Sequence, residues 1–265
     1  KLAEFQSKSI GSPQEAYHRS GELRNYHDTE PSMDENGIVS EVKQRELIHG
    51  YMASVSFIDA QVGMILDHLE STGMDENTVV VFFGDHGWHL GDHGLWNKHS
   101  NFEEATRTPL IFKSPDIDGG FVNDSPVELL DIFPTVCTLA GIPKPDDLDG
   151  ISLVPILEKK SEYLRDFAIS QYPRRCNVMR SVIGRYPDDC TLMGYAVRNE
   201  KYRYVAWISG DFEDRSDFNN DEIVMEELYD YEIDPLETKS YASDASYQKV
   251  KEEMIKDLRS VIWEN

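Results

Sequence analysis

The sequence predicts an α/β fold in two parts. The main part, to about residue 160, is a mostly parallel sheet flanked by helices, and the second is a small antiparallel-sheet subdomain closed by a helix. Three observations carry this reading. Apolar residues recur every three or four positions from Ile48 to Leu69. The unalternating run VVVFF (Val79 to Phe83) follows after a short MDEN turn. Beyond Lys159 the pattern changes to apolar–polar alternation. A helix feeding a strand with two apolar faces is what a parallel α/β sheet looks like in sequence. The expected division is 1–160 and 161–265.

Residues 1–43 show little periodicity and much Ser, Glu, Pro and His, and read as irregular structure or a surface arm. From Gln44, the residues Ile48, Met52, Val55, Ile58, Val62, Ile65 and Leu69 define one face of a helix that stops near Gly73. VVVFF is too short and too β-rich for a helix and is expected as an interior parallel strand. TPLIFKSP (Thr108 to Pro115) is a second apolar strand. VELLDIFPTVCTLAG is a helix with Leu129, Leu130, Phe133, Val136 and Leu139 on one side. KPDDLDGISLVPIL is a Pro/Gly-punctuated loop. FAISQY, GYAVRNEKYRYVAWI and EELYDYE then read as antiparallel strands, and Tyr247 to Trp263 as the closing helix.

Composition narrows the function. With 40% apolar and 11% aromatic residues the chain is globular. A net charge of −23 repels nucleic acid and anionic membranes, though a local site can still oppose the global sign. No apolar run reaches the length of a membrane span. Of the three cysteines, Cys137 lies in an apolar helical pattern and reads as a core residue. Cys176 and Cys190 lie fourteen apart in a loop-like stretch and could pair.

The chemistry concentrates where VVVFF ends. Three of the eight histidines follow within GDHGWHLGDHG, and a fourth is His99, beside Lys98. In open α/β sheets, ligands bind beyond the carboxyl ends of strands. There Gly84 lets the chain leave the strand tightly, Asp85 offers a hard anionic oxygen and His86 an imidazole nitrogen. That pair suits a divalent cation, from Ca²⁺ to Zn²⁺. The competing reading is an Asp that caps the next segment beside a hydrogen-bonded His, which is the commoner meaning of a bare D-H-G. Glycine turns at Gly91 and Gly94 and a lysine at position 98 shift the balance, because a lysine beside a metal site serves to bind a tetrahedral oxyanion. On their own, His89, His93 and His99 read as structural or supporting residues.

GDHGWHLGDHGLWNKHSNFEEATRTPLIF resembles the second signature region of the sulfatases, in the alkaline-phosphatase-like superfamily. It is most similar to the members that remove the 2-O-sulfate of iduronate, where D-H-G-W-x-L-G-[ED]-H-G-x-W-x-K precedes S-N-F and a T-x-x-P-L-I-F strand. YMASVSFIDAQVGMILDHL, VELLDIFPTVCTLAGIPKP, SQYPR, MGYAVRNEKYRYVAW and ELYDYEIDPLE resemble further family segments in the same order. The resemblance implies a partial alkaline-phosphatase-like sulfatase fold. It also implies an active-site Ca²⁺ held by Asp85 and His86, with Lys98 and His86 serving catalysis. Lys98 would contact the sulfate or the leaving oxygen, and Trp88 and His99 would line the sugar pocket. The substrate implied is a sulfated glycosaminoglycan or oligosaccharide of the heparan or dermatan type. The compartment implied is lysosomal or secreted, or periplasmic if bacterial, where disulfides form; Cys176 and Cys190 are then expected to pair beside the site.

The family's nucleophile is a formylglycine made from the Cys of C-x-P-S-R, and no such motif, nor a Ser version, occurs in the 265 residues. Neither Asp146–Asp147 nor Asp188–Asp189 sits where the family's paired calcium aspartates would. The expectation is a C-terminal part whose partner is the N-terminal half of the same sulfatase, inactive by itself. A metal-dependent phosphodiesterase or phosphatase of the same superfamily, and a non-catalytic glycan-binding module, are the alternatives.

Overall fold

The computed structural model describes residues 1–18, 20–29, 38–175, 191–209 and 223–262. These form two compact bodies. The first comprises residues 1–2, 28–86 and 107–166, and the second 3–27, 87–106 and 167–265. Residues 3–27 and 87–106 thus group with the sequence after residue 166.

The first body is built on helix α1 (Glu41–Ser71), strand β1 (Val80–Phe83), strand β4 (Leu110–Lys113), helix α3 (Ile132–Leu139) and the short helix α4 (Val154–Leu157). The Ser40 side chain caps α1 by accepting from the Lys43 N–H at 3.4 Å. The expected helix is present, but its apolar stripe is largely uncovered: Met52, Val55, Ile58 and Ile65 are all exposed. The expected parallel interior strand is corrected. β1 pairs antiparallel with β4, from Val80 opposite Lys113 to Phe83 opposite Leu110, in a two-stranded sheet. Phe82 and Phe83 are exposed. A continuous apolar run encodes two faces suited to burial; it carries no information on the direction of the neighbouring strand.

In α3 the buried residues are Pro134, Thr135 and Cys137, while Leu129, Leu130 and Phe133 of the apolar side are exposed. The polar pair Asp131 and Thr135 explains the reversal. Asp131 accepts from the Ile151 N–H at 2.9 Å and binds Arg165, and Thr135 Oγ1 accepts from the Leu153 N–H at 2.8 Å. These bonds tie the Gly150 loop to the opposite side of the helix. Cys137 is a buried free thiol, as expected; Cys176 and Cys190 lie outside the described residues.

The second body holds a four-stranded antiparallel sheet of β5 (Ala168–Arg175), β6 (Thr191–Arg198), β7 (Tyr202–Ser209) and β8 (Ile223–Asp230), in that spatial order. Helix α5 (Gln248–Ile262) follows. Both faces of the sheet are covered, and the period-2 pattern sorts the strands between them. Leu192, Ala196, Val205 and Trp207 pack with Ala16, Tyr17, Leu95 and Phe102. On the other face Tyr195, Val197, Tyr204, Ala206 and Ile208 pack with Met254 and Leu258 of α5. The N-terminal segment, expected as irregular structure or a surface arm, is largely irregular among the described residues but supplies core residues. The body also contains the hairpin β2 (His89–Leu90) and β3 (Trp96–Asn97) and the one-turn helix α2 (Glu103–Thr106).

Candidate active-site residues

In the first body, Asp85 and His86 stand at the carboxyl end of β1. Gly84 is required there by contact rather than by dihedral freedom. Its N–H donates to Pro109 O at 3.1 Å, its carbonyl accepts from Thr108 Oγ1 at 2.7 Å, and a Cβ would lie 2.5 Å from that hydroxyl. The side chains beyond it converge: His86 Nε2 is 3.6 Å from Asp85 Oδ2, with Asp85 largely exposed and His86 about one-third exposed. One carboxylate oxygen and one imidazole nitrogen at that separation fit two positions of a divalent cation's sphere, with the remaining positions open.

Trp88, Lys98 and His99 lie in the second body, on and beside the β2–β3 hairpin. The predicted glycine turn closes it: Gly91 has φ 106° and its N–H donates to Leu95 O at 2.9 Å. Asn97, with φ 73°, turns the chain out of β3 and presents the two residues that follow. Lys98 Nζ lies 3.1 Å from Glu22 Oε1 and 5.3 Å from the Trp88 ring centre. His99 Nε2 lies 2.9 Å from Glu22 Oε2, and His99 Nδ1 bonds the Tyr172 hydroxyl at 2.7 Å. Two adjacent nitrogen groups thus approach the two oxygens of one carboxylate, Lys98 by a hydrogen bond and His99 by proximity alone.

A further cation lies beside this cluster. Arg174 donates to the carbonyls of His99 and Glu15, and its guanidinium lies 4.4 Å from the Tyr172 ring centre. Burial lowers its pKa to about 10. His18, edge-on to His99 at 5.8 Å, is held neutral with a pKa near 4, first by burial and then by Arg174 and His99. Burial pushes the Glu22 carboxyl up, but Lys98 and His99 outweigh it and hold the group below the ordinary carboxylate range. Sequence reading missed Glu22, His18, Tyr172 and Arg174. The last two lay inside the quoted SQYPR, but nothing local tied Glu22 to a lysine 76 residues away.

His89 is a structural residue. It is fully buried, bonds Ser100 Oγ at 2.7 Å, and burial holds its pKa well below the usual value.

The chain belongs to the sulfatase family. The family profile "Sulfatase" matches residues 13–142, and "N-sulphoglucosamine sulphohydrolase, C-terminal" matches residues 91–264. The iduronate 2-sulfatase of Mus musculus is 31% identical, over 80% of this chain and 46% of its own length. A solved structure in complex with its substrate D-glucosamine-2-N,6-O-disulfate superposes with TM-score 0.60 at 28% identity, covering 79% of this chain and 39% of that one. The phosphonate monoester hydrolase of Agrobacterium radiobacter gives TM-score 0.61 at 28% identity, covering 78% and 40%. The chain spans less than half the length of these relatives. No helix among the described residues is long and apolar enough to cross a membrane.

Proposed function

We propose that this chain supplies the metal-binding strand end and the sulfate-binding residues of a hydrolase for sulfuric esters. The substrate we infer is the 2-O-sulfate of a uronic acid in a heparan- or dermatan-type glycan. The observation that carries the proposal is the approach of Lys98 and His99 to the paired oxygens of Glu22. Two oxygens of a sulfate present the same spacing and charge, and a lysine with an imidazole suits them. The choice of a 2-O-sulfated uronic acid rests on the similarity to iduronate 2-sulfatase.

In this reading Asp85 and His86 hold a divalent cation, calcium by analogy with the family. Such an ion, when bound, neutralises negative charge on the ester's sulfate oxygens. Lys98 adds a second positive charge and stabilises the oxygen that leaves. The Trp88 indole, already beside Lys98, offers a flat apolar wall for a sugar ring, and the Tyr172 hydroxyl orients the His99 ring. The nucleophile must come from sequence other than these 265 residues, since C-x-P-S-R is absent. The partner we infer is therefore an N-terminal sulfatase half, in a lysosomal, secreted or periplasmic setting.

The test is hydrolysis of a 2-sulfated uronic-acid disaccharide by residues 1–265 alone and by a protein that also carries a C-x-P-S-R half. Turnover only by the second supports the proposal; turnover by the first overturns it. The likeness to a phosphonate monoester hydrolase motivates a second reading, phosphodiester or phosphonate ester hydrolysis. Preference for phenyl phosphonate over the sulfated disaccharide would establish that reading instead. Binding of the disaccharide without turnover by either protein would leave a glycan-binding module.

A further inference from the structure

A separate set of side chains within the second body has no role in the chemistry above. His93 sits in the turn of the β2–β3 hairpin, Glu104 in α2, and Glu237 in the loop after β8. His93 Nε2 lies 3.8 Å from Glu104 Oε2 and 3.8 Å from Glu237 Oε2, and the ligand-type atoms of all three lie within 4.8 Å of one another. These gaps are too long for hydrogen bonds. They are close to the roughly 3.4 Å that separates ligands around a tetrahedral zinc with bonds of about 2.0–2.2 Å. We propose that His93, Glu104 and Glu237 bind a divalent transition-metal ion of the zinc class, at a site built from residues other than Asp85 and His86.

Each residue is oriented for this. The His93 ring stacks on Phe102 with centres 4.1 Å apart and meets the edge of Phe5 at 5.5 Å. Its Nδ1 faces Ser9 Oγ at 3.3 Å, which leaves Nε2 directed at the carboxylates. An outer partner on one ring nitrogen and a metal on the other is the usual arrangement of a ligating histidine. Glu237 divides its two oxygens. Oε1 takes Arg203 and the Tyr231 hydroxyl, while Oε2 accepts the Glu103 N–H at 3.2 Å and faces His93. Glu104 Oε2 is buried with no hydrogen-bond partner, a costly state for a carboxylate unless a cation meets it.

The side chains of His93 and Glu237 are each 1% exposed, and that of Glu104 is 25% exposed, which leaves a way in for an ion. Burial, then Arg203, holds the imidazole neutral with a pKa near 3, the form that ligates. Burial, then Glu237 and Asp92, pushes the Glu104 carboxyl up to about 7, with Arg203 offsetting part of the rise. An imidazole nitrogen among the donors favours zinc-class ions over calcium or magnesium, which take oxygen. Three protein ligands leave one position for water. The ion would clamp the hairpin, α2 and the loop after β8 together.

The competing account is a proton shared between the two carboxylates, with no metal. The test is calorimetric titration of the chelator-stripped protein with ZnCl₂, in a D85N/H86A background that removes the strand-end pair. One saturable equivalent is expected, weakened at least about tenfold by H93Q and by E104Q, with a zinc-induced rise in Tm that both variants lose. E104Q is nearly isosteric at a partly exposed position, so it serves if H93Q fails to fold by circular dichroism. Absence of saturable zinc binding, or binding that E104Q leaves unchanged, would overturn the site and leave the shared proton.

Discussion

In the second body Val205, Trp207 and Ile208 are at most 1% exposed, whereas in the first Ile58, Ile65, Phe83 and Phe133 are 51, 63, 47 and 54% exposed. The site residues do not divide so simply: His86, Lys98 and His99 are 33, 29 and 33% exposed, and Asp85 alone stands out. Asp85 is largely open to solvent at the end of a strand with one hydrogen-bonded neighbour. Lys98 and His99 are fixed by Glu22, Tyr172 and the turn at Asn97. Both side chains are about one-third exposed, so these contacts, rather than enclosure in a core, hold them. An open layer leaves its residues correctly placed in sequence but loosely constrained in space. Under the proposed roles, Lys98 and His99 are positioned by contacts within this chain, and Asp85 should depend on further ones.

The largest expected effect tests Lys98. In a protein that also carries the nucleophile, Lys98→Ala should lower kcat on the 2-sulfated disaccharide by about 10²–10³, the usual loss for one charge-stabilising donor. A loss below tenfold would mean that Lys98 grips only Glu22.

Trp207→Ala comes next and concerns the core itself. Its ring is buried, and its Nε1–H donates to the buried Glu227 carboxylate at 2.8 Å. Removing it leaves a cavity and an acceptor short of one donor, a loss of about 3–5 kcal/mol in urea denaturation. A change under about 1 kcal/mol would show that the second body is as loosely packed as the first.

How legible this contrast was in the sequence depends on the kind of signal. α1 and β7 declared themselves through periodicity, and the Gly91 turn and the strand-end place of Asp85 through local chemistry. Periodicity reports which faces are suited to burial, not what covers them, so the exposure of Ile58 and Phe83 was not readable. Tyr17 and Leu23 enter the core from a segment with no period at all, held instead by contacts such as the Ser9 N–H on the Tyr17 hydroxyl at 2.7 Å. The pairing of Arg203 with Glu237, and of Glu22 with Lys98, joins residues far apart in the chain. Only folding supplies that information.

Acid sensitivity should also belong to the second body. The unfolded His18 imidazole titrates near 6.5, while the folded one resists protonation until about 4. Between these values the unfolded state binds more protons, so stability present above pH 6.5 is lost as pH falls toward 4. The difference corresponds to at most about 3 kcal/mol. His18→Gln should flatten the dependence of urea midpoint on pH over that window. An unchanged slope would remove His18 as a cause.

Glu22→Gln keeps the shape of the side chain and removes its charge. If Glu22 occupies the place a sulfate takes, KM should drop severalfold because a competing anion is gone, with kcat held or raised. A fall in kcat of about tenfold would instead identify Glu22 as a residue that positions Lys98 and His99.

The smallest effect expected is at Ile58, on the uncovered stripe of α1. Burial of an isoleucine side chain contributes through area removed from water, and at 51% exposure about half of that gain is absent in the folded chain. Alanine also has the higher helix propensity, by several tenths of a kcal/mol, which offsets part of what remains. Ile58→Ala in residues 1–265 should therefore change unfolding free energy by no more than about 0.5 kcal/mol, the range of ordinary surface substitutions. The same substitution in a longer polypeptide that covers α1 should cost the about 2–5 kcal/mol typical of a core position. Equal effects in the two proteins would mean that the stripe stays in water in both. The open character of the first body would then be a property of the fold itself and would owe nothing to missing neighbours.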